Sequence, residues 1–171
     1  MAQLPIRIEN MPDDSGFLGI VDLHAYPTFV SENWTLESLF EHFRSEMGRQ
    51  TMLLWGTGSE GSWRIDISTA PAGPQFPIAR QAIGPITVTG GELLVVNYEI
   101  LTMAAQFEGE RIDRQKDWYG SGIDLPNGDY ICTISQLTEP ELRRMHDGPD
   151  FHLQLVPGET QPWTKTAWFE L

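Results

Sequence analysis

The chain has 171 residues, 40% hydrophobic and 20% charged, which fits one domain with a core large enough to fold without staples. Asp and Glu number 24 against 11 Lys and Arg, a formal charge of −13, which disfavours direct binding to nucleic-acid backbones or anionic membranes, since both need clustered Lys and Arg. The single cysteine, Cys132, excludes an intrachain disulfide and a Cys-based zinc site, and no apolar run approaches the ~20 residues that span a bilayer.

Residues 4–9 alternate enough to form a strand, and 10–15, with Pro12, Asp13 and Asp14, read as a polar turn. Residues 16–24 carry Phe17, Leu18, Ile20, Val21 and Leu23, a strand with one face well buried. A helix follows. Thr35 caps it, Glu37 suits its positive end and Gly48 ends it. Leu36, Leu39, Phe40, Phe43 and Met47 form its apolar stripe, while Glu41, Arg44 and Glu46 lie off the stripe and are expected in solvent. Residues 50–55 and 62–69 read as a hairpin joined through 56–61, with Trp63, Ile65 and Ile67 on one face and Arg64, Asp66 and Ser68 on the other.

The loop 70–77 holds Pro71, Pro74 and Pro77 and is no central strand. Residues 78–89 return as a strand broken at Gly84-Pro85. Gly90-Gly91 signals a tight hairpin turn into a strongly apolar strand over 92–102. Residues 106–122 are polar and irregular. A last hairpin pairs 123–125 with 130–137 around Asn127-Gly128, and Thr138 and Glu141 mark a short helix over 138–146. Residues 151–156 alternate as a strand, and 163–171 add one more. The sum is a mainly β single domain over 1–171, a β-sandwich of about eight or nine antiparallel strands with one inserted amphipathic helix and a short second helix. The absence of βαβ alternation argues against a doubly wound fold.

Motifs with chemical meaning are few. Gly56-Thr57-Gly58-Ser59-Glu60-Gly61 matches the dinucleotide fingerprint, but that motif needs a following helix to hold the pyrophosphate. Here the strand-like Trp63-Arg64-Ile65-Asp66-Ile67 follows, so the glycines serve a turn. Gly120-Ser121-Gly122 lacks the Gly-x-Ser-x-Gly spacing of a nucleophile elbow. His24, His42, His146 and His152 make no metal-binding pair. Asp147, Asp150 and His152 are near neighbours, yet beside Gly148-Pro149 they read as a turn. No catalytic residue, metal site or cofactor is assigned, and the chain reads as a non-enzyme.

The acidic run from Glu108 to Trp118 is the best interaction candidate. Glu108, Glu110, Asp113 and Asp117 surround the aromatic Trp118, so charge steers a partner and the ring anchors it. A basic protein partner is favoured, with association fastest at low salt. The alternative is a small-ligand or carbohydrate-binding β-sandwich that stacks sugars on Trp118 or Trp163, both in polar surroundings. Met1-Ala2-Gln3-Leu4-Pro5-Ile6-Arg7 lacks the pattern of a signal peptide. A reducing cytoplasm is the expected location, with Asn33-Trp34-Thr35 an incidental glycosylation pattern.

Ala82-Ile83-Gly84-Pro85-Ile86-Thr87-Val88 with Gly91-Glu92-Leu93 resembles a stretch of the ComJ-type competence proteins. Leu125-Pro126-Asn127-Gly128-Asp129-Tyr130, followed by Phe151-His152-Leu153-Gln154-Leu155-Val156-Pro157, does so as well, in the same order. The resemblance covers roughly the second half of the chain and implies a compact β-rich, non-catalytic inhibitor of a DNA-entry nuclease, whose basic site carboxylates can engage. The 36–47 helix and the 106–122 loop read as additions to that pattern, and no family binding residue carries over. A toxin is an equally suitable target.

Overall fold

The computed structural model describes residues 4–112, 122–139 and 147–170. Among them nine strands build two sheets. The larger runs β1 (Ile6–Asp13), β4 (Gly61–Ser68), β9 (Phe151–Pro157), β8 (Gly128–Gln136) and β5 (Arg80–Val88) in spatial order. The smaller runs β3 (Met52–Gly56), β2 (Phe17–Asp22), β6 (Glu92–Asn97) and β7 (Gly122–Asp124). Pairing is antiparallel except between β4 and β9. The β-sandwich with an added helix is therefore as expected, but the connectivity is not.

None of the three expected hairpins forms. β3 pairs with β2 and β4 with β1 and β9, so the 57–60 turn carries the chain from one sheet to the other. The same holds for Gly90-Gly91 between β5 and β6, and for Asn127-Gly128 between β7 and β8. A glycine turn reverses the chain equally well between hydrogen-bonded neighbours and between facing sheets; burial decides which. Gly91 at φ 78° supplies the left-handed backbone this corner needs.

Burial differs between the sheets and explains the two kinds of sequence pattern. β4 and β8 alternate: Trp63, Ile65, Ile67, Cys132 and Ile134 face the sandwich interior, while Arg64, Asp66 and Thr133 face outward. Every residue of β2 and β3 is buried, as is β6 from Leu93 to Asn97. Leu18, Ile20, Leu53 and Val95 fill the sandwich, whereas Phe17, Val21, Leu54 and Val96 pack beneath α1 (Leu36–Gly48) in a second core. The expectation of one buried face for residues 16–24 is thus corrected to two, because the helix covers the outer face. Continuous apolar runs mark such doubly covered strands.

The α1 cap is Thr35, whose hydroxyl accepts the Ser38 N–H at 3.2 Å while the Ser38 hydroxyl returns to the Thr35 N–H at 2.9 Å. Leu39, Phe43 and Met47 are fully buried, but Leu36 at the first turn is 52% exposed. Glu46, expected in solvent, is buried and accepts the Thr51 hydroxyl at 2.7 Å. The helix runs through Gly48 and ends on Arg49, whose N–H donates to Met47 and Ser45 carbonyls.

Three further expectations change. The turn assigned to 10–15 is strand up to Asp13, because a bulge between Ile8 and Met11 returns Met11 to the core. β5 is continuous through Gly84-Pro85. Thr87 N–H and Ile83 C=O both leave the sheet edge, to Gln50 O and Trp163 Nε1, so Pro85 also presents its backbone outward, where a missing N–H costs nothing. The apolar strand ends at Asn97 instead of running to Thr102. The Asn97 side chain accepts Ile100 N–H at 2.9 Å and donates to Pro12 O at 2.9 Å, capping α2 (Tyr98–Met103). The helix expected over 138–146 falls mostly outside the described residues. The tail contributes one parallel bridge, Trp55 to Ala167, along the open edge of β3.

Candidate functional site

The expected contact surface begins where α2 ends. Residues 98–110 are laced to 28–32 by backbone and side-chain bonds. Val30 and Ser31 N–H both donate to Ala105 O, at 2.8 and 3.2 Å. Gln106 Nε2 donates to Glu32 O at 3.0 Å, and Thr28 Oγ1 to Glu110 O at 2.6 Å. This fixes the backbone that carries the acids. Glu99, Glu108 and Glu110 are exposed, and between them Met103 and Phe107 stand 69% and 57% exposed. The expected contacts Asp113, Asp117 and Trp118 lie outside the described residues.

A cavity of about 340 Å³ opens beside this run, between 23–29 and Gly109-Glu110-Arg111. Its wall is held from behind by His42, whose Nε2 meets Pro27 O at 2.8 Å. Tyr26 lines it and is buried, which raises its phenol pKa, with Glu46 adding to the effect. Charge at the mouth is mixed, Glu110 beside Arg111.

Sequence reading missed Met103 and Phe107 because Met103 followed what looked like one long strand. The available signal was Asn97 followed by Glu99, a cap and a first-turn acid.

The outer face of the larger sheet carries a second polar arrangement. Arg7, Asp66, His152, Ser135 and Gln81 are successive register partners from β1 to β5, a row across the sheet. Arg7 grips Asp66 with two bonds, 2.5 and 2.8 Å. His152 Nε2 lies 3.0 Å from Ser68 Oγ, and Gln81 Nε2 donates to Ser135 Oγ at 2.9 Å. Ser, His and Asp thus stand together, as in a nucleophilic triad. The hydrogen bonds disarm them: Ser68 Oγ gives its proton to Ala70 O at 2.8 Å, and Arg7 engages both Asp66 oxygens.

The other sequence candidates fall into structural roles. Asp150 accepts Arg64 N–H at 2.9 Å and the Thr138 hydroxyl at 3.3 Å. Among the described residues no three His, Cys, Asp or Glu side chains gather to hold a metal. Cys132 is buried in the sandwich core and its thiol is pushed up to about 12 by burial. Trp163 donates Nε1–H to Ile83 O at 2.8 Å and covers Gly84, so its indole is committed to the sheet. It also borders a pocket of about 290 Å³ with Ala82 and Pro162. No helix among the described residues is long and apolar enough to cross a membrane.

Two sheets with a helix over one of them make a β-sandwich whose fold is ComJ-like. No protein-family model matches the chain, and no curated protein matches it. Over 93% of its length it is similar to 100% of a solved chain described as Crocagin biosynthetic gene J, with TM-score 0.58 and 16% identity. Over 91% of its length it is similar to 99% of ComJ from Bacillus subtilis, described as inhibitor of the DNA degrading activity of NucA, with TM-score 0.52 and 13% identity. The likeness at these identities is one of fold.

Proposed function

We propose that this chain is a non-catalytic acidic binding protein of the inhibitor or immunity type, which restrains a basic protein partner such as a nuclease or toxin. The observation that carries the reading is the exposure of Met103 and Phe107 between Glu99, Glu108 and Glu110 on a backbone laced to 28–32. Exposed large apolar side chains within a charged rim suit a protein interface, with the apolar pair desolvated at its centre and the acids steering approach. Asp113, Asp117 and Trp118 continue the contact along the chain. The formal charge of −13 extends the attraction beyond the contact itself. A ComJ-like fold supports the same direction, since ComJ is described as a nuclease inhibitor.

The test is capture of partners on the immobilised protein at low salt, followed by elution in salt steps. One basic protein released in stoichiometric amount, and inhibited when the chain is added back, is the expected result. Capture that is unchanged by Glu108→Lys with Glu110→Lys removes this edge as the contact.

A further inference from the structure

The row on the outer sheet face borders a pocket of about 400 Å³, walled by Pro5, Phe76, Leu137 and Pro149 with Arg7, Asp66, Ser68 and His152 at its polar side. Its hydrogen bonds fix the state of the imidazole. A serine hydroxyl has one proton, and that of Ser68 goes to Ala70 O. The Ser68 to His152 contact therefore requires Nε2–H as donor. His152 is 7% exposed, and burial lowers its pKa against the opposing pull of Asp66, which favours the neutral ring. Nδ1 is then a bare acceptor with no partner among the described residues. Arg7 spends Nε and Nη2 on Asp66, and among the described residues the N–H pair of Nη1 has no partner.

We infer that this pocket binds a small neutral ligand bearing a primary or secondary amide on an apolar or aromatic body, its N–H donated to His152 Nδ1 and its C=O accepting from Arg7 Nη1. The two positions are two strands apart, about 9–10 Å at the backbone, and the Arg7 side chain leans across Asp66 to narrow that gap. An amide with a hydrogen bond of ~2.9 Å at each end reaches about 8 Å at most, which is the separation of Nη1 and Nδ1 that this pose requires. Asp66 beside Arg7 makes the pocket unfavourable for a carboxylate, which also lacks the donor. The apolar walls take the ligand body, in a volume within the ~300–1,000 Å³ usual for such sites.

The experiment is titration of the native protein with benzamide, N,N-dimethylbenzamide and benzoate, followed by long-range 1H–15N spectra of the histidine rings. Benzamide is expected to bind and move the Nδ1 resonance of His152. The other two are expected to bind at least about tenfold more weakly, since each leaves a buried polar group unpaired. His152→Phe should lose benzamide by a similar factor. If that variant does not fold, the ligand series decides alone. Equal binding of the three probes, no benzamide binding at its solubility limit, or a protonated Nδ1 in the free protein would each overturn the inference.

Discussion

Trp63 donates its indole N–H to Oδ2 of Asp13 at 3.0 Å in the protein interior. The same oxygen accepts Thr57 Oγ1 at 2.6 Å, and Oδ1 accepts the N–H groups of Gly16 and Ser15 at 2.8 and 3.2 Å. One carboxylate thereby pins the turn from β1 to β2 and the turn from β3 to β4, two of the four corners where the chain changes sheet. Asp13→Ala removes an acceptor shared by four donors, of which Thr57 Oγ1 keeps Ser59 O at 2.9 Å, and is expected to cost about 3 kcal/mol or more in urea unfolding. Asp66→Ala removes a solvent-accessible pair with Arg7 and should cost about 1 kcal/mol or less. Similar losses for both would refute the structural weight given to Asp13.

His152 gives stability a pH dependence of known sign. Its pKa is lowered from 6.5 by burial, with Asp66 opposing. The unfolded chain then binds a proton where the folded chain keeps the ring neutral. The contribution is fully present above about 6.5 and is lost as pH falls from there through the folded value. Urea midpoints measured from neutral pH to mild acid should drop more steeply for the native protein than for His152→Gln. Parallel curves would mean that another group controls the slope.

Met103→Ser with Phe107→Ser removes apolar surface that already faces water. Folding stability is expected to change by no more than about 0.5 kcal/mol, while the complex with a captured partner dissociates faster. Glu108→Lys with Glu110→Lys should instead slow association at low salt and flatten its salt dependence. Surface plasmon resonance separates the two effects. A change in the same rate constant for both pairs would break the division between anchor and steering groups.

Local chemistry made much of this fold readable. The α1 cap at Thr35, the buried side chains of Leu39, Phe43 and Met47, and the alternation of β4 all follow from spacing and side-chain type. Partners do not. Asn127-Gly128 and Gly90-Gly91 specify reversal, but whether the two arms hydrogen-bond or face each other depends on what each arm buries, a tertiary matter. The 78–89 run looked broken because Pro85 is hostile to a central strand; at an edge it is acceptable. Glu46 looked solvated because its hydrogen-bond donor, Thr51, lies beyond the helix end. Of the proposed contact surface, Glu108 and Glu110 were visible as charge. The outer-face pocket was not, since it joins Arg7 to His152 through strand order alone.

Two glycines in similar sequence settings should respond oppositely to alanine. Gly48 lies within α1, and a Cβ there meets nothing within 4 Å. Gly48→Ala reduces the freedom of the unfolded chain and should stabilise the protein by about 0.5–1 kcal/mol. Gly56 ends β3 against the C-terminal segment, which donates no slack: a Cβ would sit 2.2 Å from Trp168 O. That backbone is held by Gly56 N–H to Ala167 O at 2.7 Å and by Arg80, stacked 4.4 Å from the Trp168 ring while donating to Gly56 O. Gly56→Ala must push the 167–169 segment off the edge of β3, at a cost of about 1–3 kcal/mol. Residues 159–165 should then become sensitive to protease under native conditions while the sandwich stays folded. Protection of that segment in Gly56→Ala, together with native stability, would show that it does not seal the edge.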